Sequence, residues 1–213
     1  MTTMLQMKAR IADEIGPRDD LGTQIAFAIT DAIEAYQDRR FHFNEGRATT
    51  FTTVAGQEFY DEDDAADLAK VQVIDYVVLY IGDNPYHLLA MTPAEIETAS
   101  TNGTNTGQPG WYCWYGNQIR IYPSPADAWT IRIGCAFKAA APTSDAQTGN
   151  PWMTHAERLV RSRAKLELAL HVLKDQALAE TMNAAVTEAL DQLVIRTNQL
   201  TRVGDGRVAA MEF

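Results

Sequence analysis

Cysteine and histidine, the residues most used in metal and nucleophilic sites, are scarce in this 213-residue sequence. The two cysteines, Cys113 and Cys135, are too few for a disulfide framework or a cysteine-rich metal site. We therefore expect both to be buried, reduced thiols. The four histidines form no H-E-x-x-H motif and no pair at i, i+4 spacing. The sequence predicts no metal ion and no cofactor.

Positive charge and long apolar runs are also scarce. Lys and Arg number 18 against 28 Asp and Glu, which gives a net charge of -10. Since nucleic-acid affinity comes mainly from cations that displace counterions, an acidic chain is a poor DNA binder. The longest apolar run, near VVLYI, is far too short to cross a bilayer, and residues 1–16 lack the apolar stretch of a secretory signal. We expect a soluble protein made in the cytoplasm, with no membrane partner.

Nucleotide-binding and hydrolase motifs are missing as well. The sequence has no P-loop and no G-x-S-x-G, and GDGRVA (204–209) lacks the preceding strand that a dinucleotide fingerprint needs. The acidic run DEDD (61–64) lacks the alternating ligands and the glycine of a calcium loop. We expect a solvated loop or an acidic patch that faces a partner, with Asp63 and Asp64 as candidates for a subunit interface. The sequence predicts no enzymatic activity, and leaves open only a pair of carboxylates that converge in the fold, as in glycoside hydrolysis.

Helical periodicity marks both ends of the chain. Apolar residues recur at helical spacing from Met4 to Ile15, and Gly16-Pro17 predicts the end of that first helix. A second helix follows Asp20. Near the C-terminus, Thr154 and Glu157 fit a capping box, a break is predicted at Lys174-Asp175, and a last helix follows with apolar residues at 4-3-4 spacing.

The middle of the chain alternates like β-strands. RATTFTTV and QEFY, separated by Ala55-Gly56, predict one hairpin, and WYCWYGNQIRIYP predicts a second with a type I′ turn at Gly116-Asn117. A short helix between them has the capping-box residues Thr92 and Glu95. This order of elements predicts an α+β fold, in which a helical bundle (1–45 and 151–203) carries an inserted antiparallel β-rich domain (46–150) and a flexible C-terminal tail (204–213).

Two clusters of side chains have several interpretations. The cations Arg158, Arg161 and Lys165 share one helical face and are candidates for a subunit interface with an acidic protein surface, or for ion pairs of a solvated face. The aromatic residues of the second hairpin favour the core or a subunit contact, while the stacking of sugars or bases stays an alternative. They are Trp111, Tyr112, Trp114, Tyr115 and Tyr122.

The segment RRFHFNEG (39–46) joins the predicted helices to the predicted sheet. Phe41 and Phe43 occupy alternating positions and are predicted to anchor this joint. Arg39 and Arg40 follow a helix, where cations interact favourably with the negative end of the helix dipole. This explanation of the two arginines requires no DNA.

The layout resembles the head-to-tail adaptor (connector) proteins of tailed bacteriophages, including the tail tubular A proteins of short-tailed phages. The resemblance lies in F-x-F-N after a helix, in G-Q-P, in I-R-I-Y-P, and in W-M-T-x-A-E at the start of a helix. It implies a structural virion protein of the neck between capsid and tail. Such a protein forms a ring, twelvefold in the family, below the portal protein, docks the next tail or nozzle protein, and lets DNA pass through its lumen without specific binding.

The C-terminal tail, VGDGRVAAMEF (203–213), is apolar at its end and has no amphipathic period. A solvated tail is normally polar, so an apolar end favours docking. The resemblance implies the portal as the dock, with Arg207, Val208, Met211 and Phe213 as the contact residues. A tail that folds back on its own bundle is the alternative. A carbohydrate-binding β module and a carboxylate hydrolase of a phage tail remain the alternative functions.

Overall fold

The protein consists of two compact units. The computed structural model describes residues 2–16, 18–100 and 105–202. The helical unit holds the described residues up to Asn44 and from Ala139 onward, and the β unit spans Glu45–Lys138. Residues 139–150, predicted with the β-rich domain, belong to the helical unit. They are tied to it by backbone contacts such as the hydrogen bond from the Leu5 amide to the Asp145 carbonyl (3.1 Å).

Six α-helices lie within the described residues. They are α1 (Met4–Glu14), α2 (Gly22–Glu34), α3 (Pro93–Ala99), α4 (Pro151–His155), α5 (Glu157–Glu167) and α6 (Gln176–Arg202). A π-helical segment, Leu168–Leu173, continues α5. No helix in the described ranges is at once long enough and apolar enough for a membrane span.

The core of the helical unit is centred on α5, which packs against α1, α2, α4 and α6. Each helix contributes an apolar stripe at the i, i+3, i+4 spacing that places side chains on one face. The fully buried side chains include Met7, Ile11, Ile25, Ile29, Ile33, Leu159 and Val160. The helices of the two chain ends therefore share one core, as the bundle prediction requires.

The predicted capping box at Thr154 and Glu157 is wrong. The helical run begins four residues earlier, at Pro151, because Asn150 is the N-cap and its Oδ1 accepts the Trp152 amide (3.0 Å). The Thr154 hydroxyl instead donates to the Asn150 carbonyl (3.0 Å). Proline at the first helical position supports this earlier start.

The predicted break at Lys174-Asp175 is confirmed. Lys174 adopts a left-handed conformation, with φ of 53°, which ends the π-helical segment. The Asp175 side chain then accepts the Leu178 amide (3.0 Å), so that it caps the start of α6.

Within its described residues, the β unit contains one seven-stranded sheet and a two-stranded ribbon. The strands are β1 (Glu45–Thr52), β2 (Phe59–Tyr60), β3 (Val71–Ile81), β4 (Asn84–Ala90), β5 (Thr106–Gly107), β6 (Trp111–Tyr115), β7 (Gln118–Tyr122), β8 (Ser124–Pro125) and β9 (Thr130–Phe137). The order in the large sheet is β1-β9-β3-β4-β6-β7-β2, and β5 pairs with β8. The α+β class with an inserted β region is confirmed. The sheet is mixed rather than purely antiparallel, since β4 and β6 pair in parallel.

One predicted hairpin is present and the other is absent. β6 and β7 pair in register, and Gly116 and Asn117 both have φ of 62°, as a type I′ turn requires. The hairpin predicted about Ala55-Gly56 is wrong, because β1 pairs with β9 and β2 pairs with β7. The Tyr60 hydroxyl shapes the intervening loop, since it accepts the Val54 amide (3.0 Å) and donates to the Gln57 carbonyl (3.0 Å).

Both faces of the β6–β7 hairpin are covered. One face contributes Ile119 and Ile121 to the main core of the unit. On the other face, Ile96 of α3 packs with Cys113 and Tyr122. The predicted capping box of α3 is confirmed, since Thr92 Oγ1 accepts the Glu95 amide and the Glu95 carboxylate accepts the Thr92 amide. Alternation along β7 therefore separates two buried faces, not a core from solvent.

Candidate functional site

Five rings of the helical unit form one cluster beside α4. Phe43 stacks on His155 with ring centroids 5.7 Å apart, and both Phe41 and Phe43 meet Trp152 edge-on, at 6.0 and 5.1 Å. The His42 and His155 rings lie 5.2 Å apart. Trp152 and Phe41 are fully buried. The cluster thus fixes the turn after α2 to the start of the C-terminal helices.

Buried polar contacts hold the turn that carries these rings. The Asn44 side chain, which is fully buried, accepts the Phe41 amide (2.7 Å) and donates to the Arg39 carbonyl (2.8 Å). The Trp152 indole donates to the Ala139 carbonyl (2.8 Å). Phe41 and Phe43 are therefore anchors of the helical unit, and their predicted role at the joint with the sheet stays a prediction.

The three cations of the predicted stripe all have acidic partners in their own helical unit. Lys165 Nζ lies 2.7 Å from Glu14 Oε2, and Arg161 lies 3.3 Å from Glu14 and 3.5 Å from Glu157. Arg158 lies 2.9 Å from Glu188 on α6. The stripe is thus a set of ion pairs that links α1, α5 and α6. Its part in a subunit interface remains a prediction.

Asp63 and Asp64 of the acidic loop are both exposed, but only Asp64 has hydrogen bonds that hold the loop. Asp64 accepts hydrogen bonds from Gln57 Nε2 (3.0 and 3.1 Å) and from the Asp61 amide (3.2 Å), so that it closes the turn. Asp63 is exposed and lines, with Glu62 and the Gly116-Asn117 turn, a cavity of about 320 Å³. No group of three or more His, Cys, Asp or Glu within the described ranges is arranged to hold a metal ion.

The aromatic residues of β6 and β7 divide between core and surface. Tyr112 and Tyr122 are buried, and Trp114 packs against the main core of the β unit. Trp111 is 38% exposed and stacks on Tyr122, with ring centroids 6.3 Å apart. Tyr115 is 75% exposed. Trp114 therefore serves the core, and the exposed rings are Trp111 and Tyr115.

A buried arginine in β7 was missed at the sequence level. Arg120 is 7% exposed, and its guanidinium binds Glu58 (2.9 Å), Glu97 of α3 and the Ser100 hydroxyl (3.2 Å). It also lies 4.9 Å from the centre of the Phe59 ring. In the sequence, Arg120 stands between two isoleucines in QIRIY. This pattern is compatible with an exposed arginine and also with a buried arginine that is paired with a carboxylate. Arg120 holds α3 and its C-terminal end against β7.

The two cysteines are free and buried, as predicted. Burial raises the pKa of the Cys113 thiol, and Arg120 opposes this shift in part. A raised pKa keeps the sulfur protonated near neutral pH, which disfavours nucleophilic chemistry because the thiolate is the reactive form. Cys135 lies 3.9 Å from the Thr49 hydroxyl.

The described part of the helical unit includes two grooves. The α5–α6 groove has a volume of about 190 Å³. Its floor is apolar and consists of Ala156, Leu159, Ala189 and Leu193. Its rim is polar and consists of His155, Arg158, Gln192 and Arg196. The α2 groove, of about 220 Å³, lies between α2 and the π-helical segment. Its most exposed apolar residue is Phe27, at 65% exposure. The predicted portal-docking residues Arg207, Val208, Met211 and Phe213 lie outside the described residues.

Comparison with known proteins places this architecture in a family. No curated protein matches the chain. The family model of the SU10 adaptor protein matches residues 2–209, which is nearly the whole sequence. The resemblance to the adaptor proteins of tailed bacteriophages is thereby confirmed, and the chain belongs to the SU10 adaptor protein family.

Proposed function

We propose that the protein is the head-to-tail adaptor of a tailed bacteriophage. It assembles as a ring, of twelve subunits by the family resemblance, below the portal protein and docks the next tail or nozzle protein. The observation that carries this proposal is the family match over residues 2–209. The helical bundle with an inserted β unit is the architecture that the resemblance implied.

The composition suits a channel through which DNA moves. The chain has a net charge of -10, so that a lumen lined by it gains little from phosphate contacts. Movement of DNA requires that no stretch of the duplex is held tightly. An acidic ring meets this requirement without any specific DNA-binding residue.

Three surfaces are proposed for assembly. The tail residues Arg207, Val208, Met211 and Phe213 dock on the portal, with the apolar side chains as anchors. The stripe of Arg158, Arg161 and Lys165 faces an acidic surface of a neighbour, for which the loop with Asp63 and Asp64 is one candidate. The ion pairs with Glu14 and Glu188 orient these cations, and the Arg158 side chain remains 50% exposed and accessible to a neighbour.

Electron microscopy of the purified protein, alone and mixed with its portal, tests the proposal. We expect rings of twelve subunits that sit on the portal, and we expect no stable ring-to-portal complex after deletion of residues 204–213. An unrelated portal of similar charge serves as the control for non-specific binding. Absence of any complex with the cognate portal at micromolar concentrations would argue against the adaptor role.

A further inference from the structure

The α2 groove is bordered by exposed apolar side chains. Phe27 of α2 is 65% exposed and Val172 of the π-helical segment is 39% exposed, and both line the groove. Phe27 is the most exposed large apolar residue in the described part of the helical unit. Aromatic side chains are enriched in protein–protein interfaces, where they fill pockets of the partner. The groove therefore fits a partner that inserts an apolar side chain beside Phe27.

A carboxylate without an ionic partner lies one helical turn from Phe27. Asp31 is exposed, lines the same groove, and makes no ion pair with the described residues. Residues four positions apart lie on one face of a helix, with about 5–6 Å between their Cβ atoms. Glu167, the other carboxylate of the groove, is already paired with Arg163 and lies 3.3 Å from His171. A partner should therefore supply a cation one turn away from its apolar side chain.

The last turns of α6 carry the complementary pair of side chains. Leu200 is 50% exposed. Arg196, four residues earlier, is exposed and has no ionic partner among the described side chains. The two residues therefore share one face of α6, at the same spacing as Phe27 and Asp31 on α2. When the two helices lie antiparallel, the apolar side chains meet each other and the opposite charges meet each other.

The end of α6 does not reach the groove of its own chain. The π-helical segment that lines the α2 groove comes directly before α6, so the groove lies near the start of that helix. Leu200 lies roughly 36 Å from Gln176, the first residue of α6, along this continuous helix. The exposed fractions of Phe27 and Leu200 also leave both side chains largely uncovered. The occupant of the groove therefore comes from another molecule.

A second copy of the chain has the chemistry of this occupant. Each subunit of a ring larger than a dimer needs two different surfaces that complement each other, one for each neighbour. The α2 groove and the end of α6 have this relationship. Each combines an exposed apolar side chain with a charge at equal spacing, and the two charges have opposite sign.

We propose that the end of α6 docks in the α2 groove of a neighbouring subunit. In this contact Leu200 lies beside Phe27. Arg196 forms an ion pair with Asp31. The inference rests on the proposed ring of the adaptor, for which it names one contact between subunits, and this contact is separate from the stripe of cations on α5.

Charge reversal in the full-length protein tests the inference, with rings assembled on the portal and counted by electron microscopy. Asp31→Arg and Arg196→Asp are each expected to reduce the yield of rings by about tenfold or more, because each places like charges at the contact. Both positions are exposed, so the urea midpoint of unfolding should stay that of the wild type. Asp13→Arg on α1 is the matched control and should assemble normally, since Asp13 is also exposed and has no ionic partner in the described ranges.

A mixture of the two charge variants identifies the contact as one between copies. In a ring with an even number of subunits the two variants can alternate, and each contact then regains a pair of opposite charges. We expect the mixture to restore the wild-type yield. The double variant, Asp31→Arg with Arg196→Asp, should restore it as well, because its two reversed charges again attract each other across the contact.

The outcomes separate this inference from the adaptor role. Normal ring yields of the single variants would overturn the inference. A loss that neither the mixture nor the double variant restores would also overturn it, and would indicate that the α2 groove binds the portal instead. Both results require that the wild type forms rings. Failure of the wild type to assemble on its portal would contradict the adaptor role itself.

Discussion

Glu14, the last residue of α1, accepts a hydrogen bond from Lys165 on α5, with 2.7 Å between Oε2 and Nζ. Its other carboxylate oxygen lies 3.3 Å from Arg161. Lys165 is 13% exposed and Glu14 is 37% exposed at the side chain, so the pair is partly shielded from solvent. One carboxylate thus neutralises two cations of the stripe that we propose for assembly.

Substitutions at the two ends of this ion pair test the stability of the subunit and the assembly of the ring separately. We expect Glu14→Gln to lower the free energy of unfolding by about 1 kcal/mol, because the pairs are partly screened by solvent. Arg161→Glu should lower it further, since it replaces the ion pairs with Glu14 and Glu157 by contacts between like charges, and it should also abolish ring formation on the portal. Urea unfolding and electron microscopy measure the two effects. If both variants assemble equally well, Arg161 does not contribute to the interface.

The Trp152 indole offers a test of the ring cluster. Trp152→Phe keeps a ring against Phe41 and Phe43 but leaves the Ala139 carbonyl without its donor. We expect a loss of about 1–3 kcal/mol in the free energy of unfolding. Trp152→Ala should cost more, about 3–5 kcal/mol, because it also leaves a cavity. Equal stability of the Phe variant and the wild type would show that the hydrogen bond contributes nothing.

Gly134 on β9 lies beneath the ring of Tyr76 on β3, and a Cβ atom at Gly134 would overlap that ring. Gly134→Ala should therefore displace the tyrosine and reduce stability by about 1–3 kcal/mol, as overpacking does. In the Tyr76→Ala background the same change should cost much less. A double-mutant cycle by thermal or urea unfolding measures this coupling. Additive effects of the two substitutions would rule out the contact as the cause.

The N-terminus of α3 should respond to acid. Hydrogen bonds from the Thr92 amide and hydroxyl lower the pKa of the Glu95 carboxyl below its ordinary value of 4.5. Because the folded-state pKa is the lower one, the carboxylate stabilises the cap above that ordinary value, and this contribution disappears as the pH falls through the lowered pKa. Hydrogen exchange of the α3 amides should therefore become faster, relative to the intrinsic rate, below pH 4.5.

Glu95→Gln is the control for this pH dependence. Glutamine keeps the capping-box geometry without a titrating group. The acid-dependent part of the exchange of α3 should vanish in this variant, while the helix persists. A variant that retains the full pH dependence would point to another titrating group.

The carboxylates of the acidic loop are expected to have no catalytic role. Asp64 holds the turn through Gln57 and the Asp61 amide, and the described residues contain no metal-binding cluster. We expect no nuclease or glycosidase turnover with or without Mg²⁺, Mn²⁺ or Ca²⁺. Metal-dependent turnover that disappears in Asp63→Ala and Asp64→Ala would contradict a purely structural role.

Some local signals in the sequence predicted local structure correctly, whereas the capping box at Thr154 and Glu157 was wrong. The capping box of Thr92 and Glu95 and the turn at Gly116-Asn117 depend on residues three or fewer positions apart, and both are present. The pairing of β1 was not predictable in this way, because its partner β9 lies about eighty residues later in the chain. Loop length and alternation contain no information about such a distant partner.

The ion pairs of the surface residues were likewise not predictable from the sequence. The spacing of Arg158, Arg161 and Lys165 placed them on one face, but their partners Glu14 and Glu188 come from distant helices. Arg120 alternates with buried isoleucines and looks exposed until α3 covers that face of the sheet. Which side chains are paired thus depends on how the elements pack, and the spacing of residues within one helix or strand does not determine it.

The first and last strands of the β unit are neighbours, and Glu45 lies directly opposite Ala136. Opposed residues of an antiparallel pair lie about 5 Å apart at their Cα atoms. The chain thus enters and leaves this unit at almost the same point, as in a domain inserted into a host loop. A linker of a few residues could close that gap, so the β unit can be exchanged for another module of any size whose ends are equally close. The geometry allows a phage lineage to vary this part of its adaptor while the helical host keeps its own core.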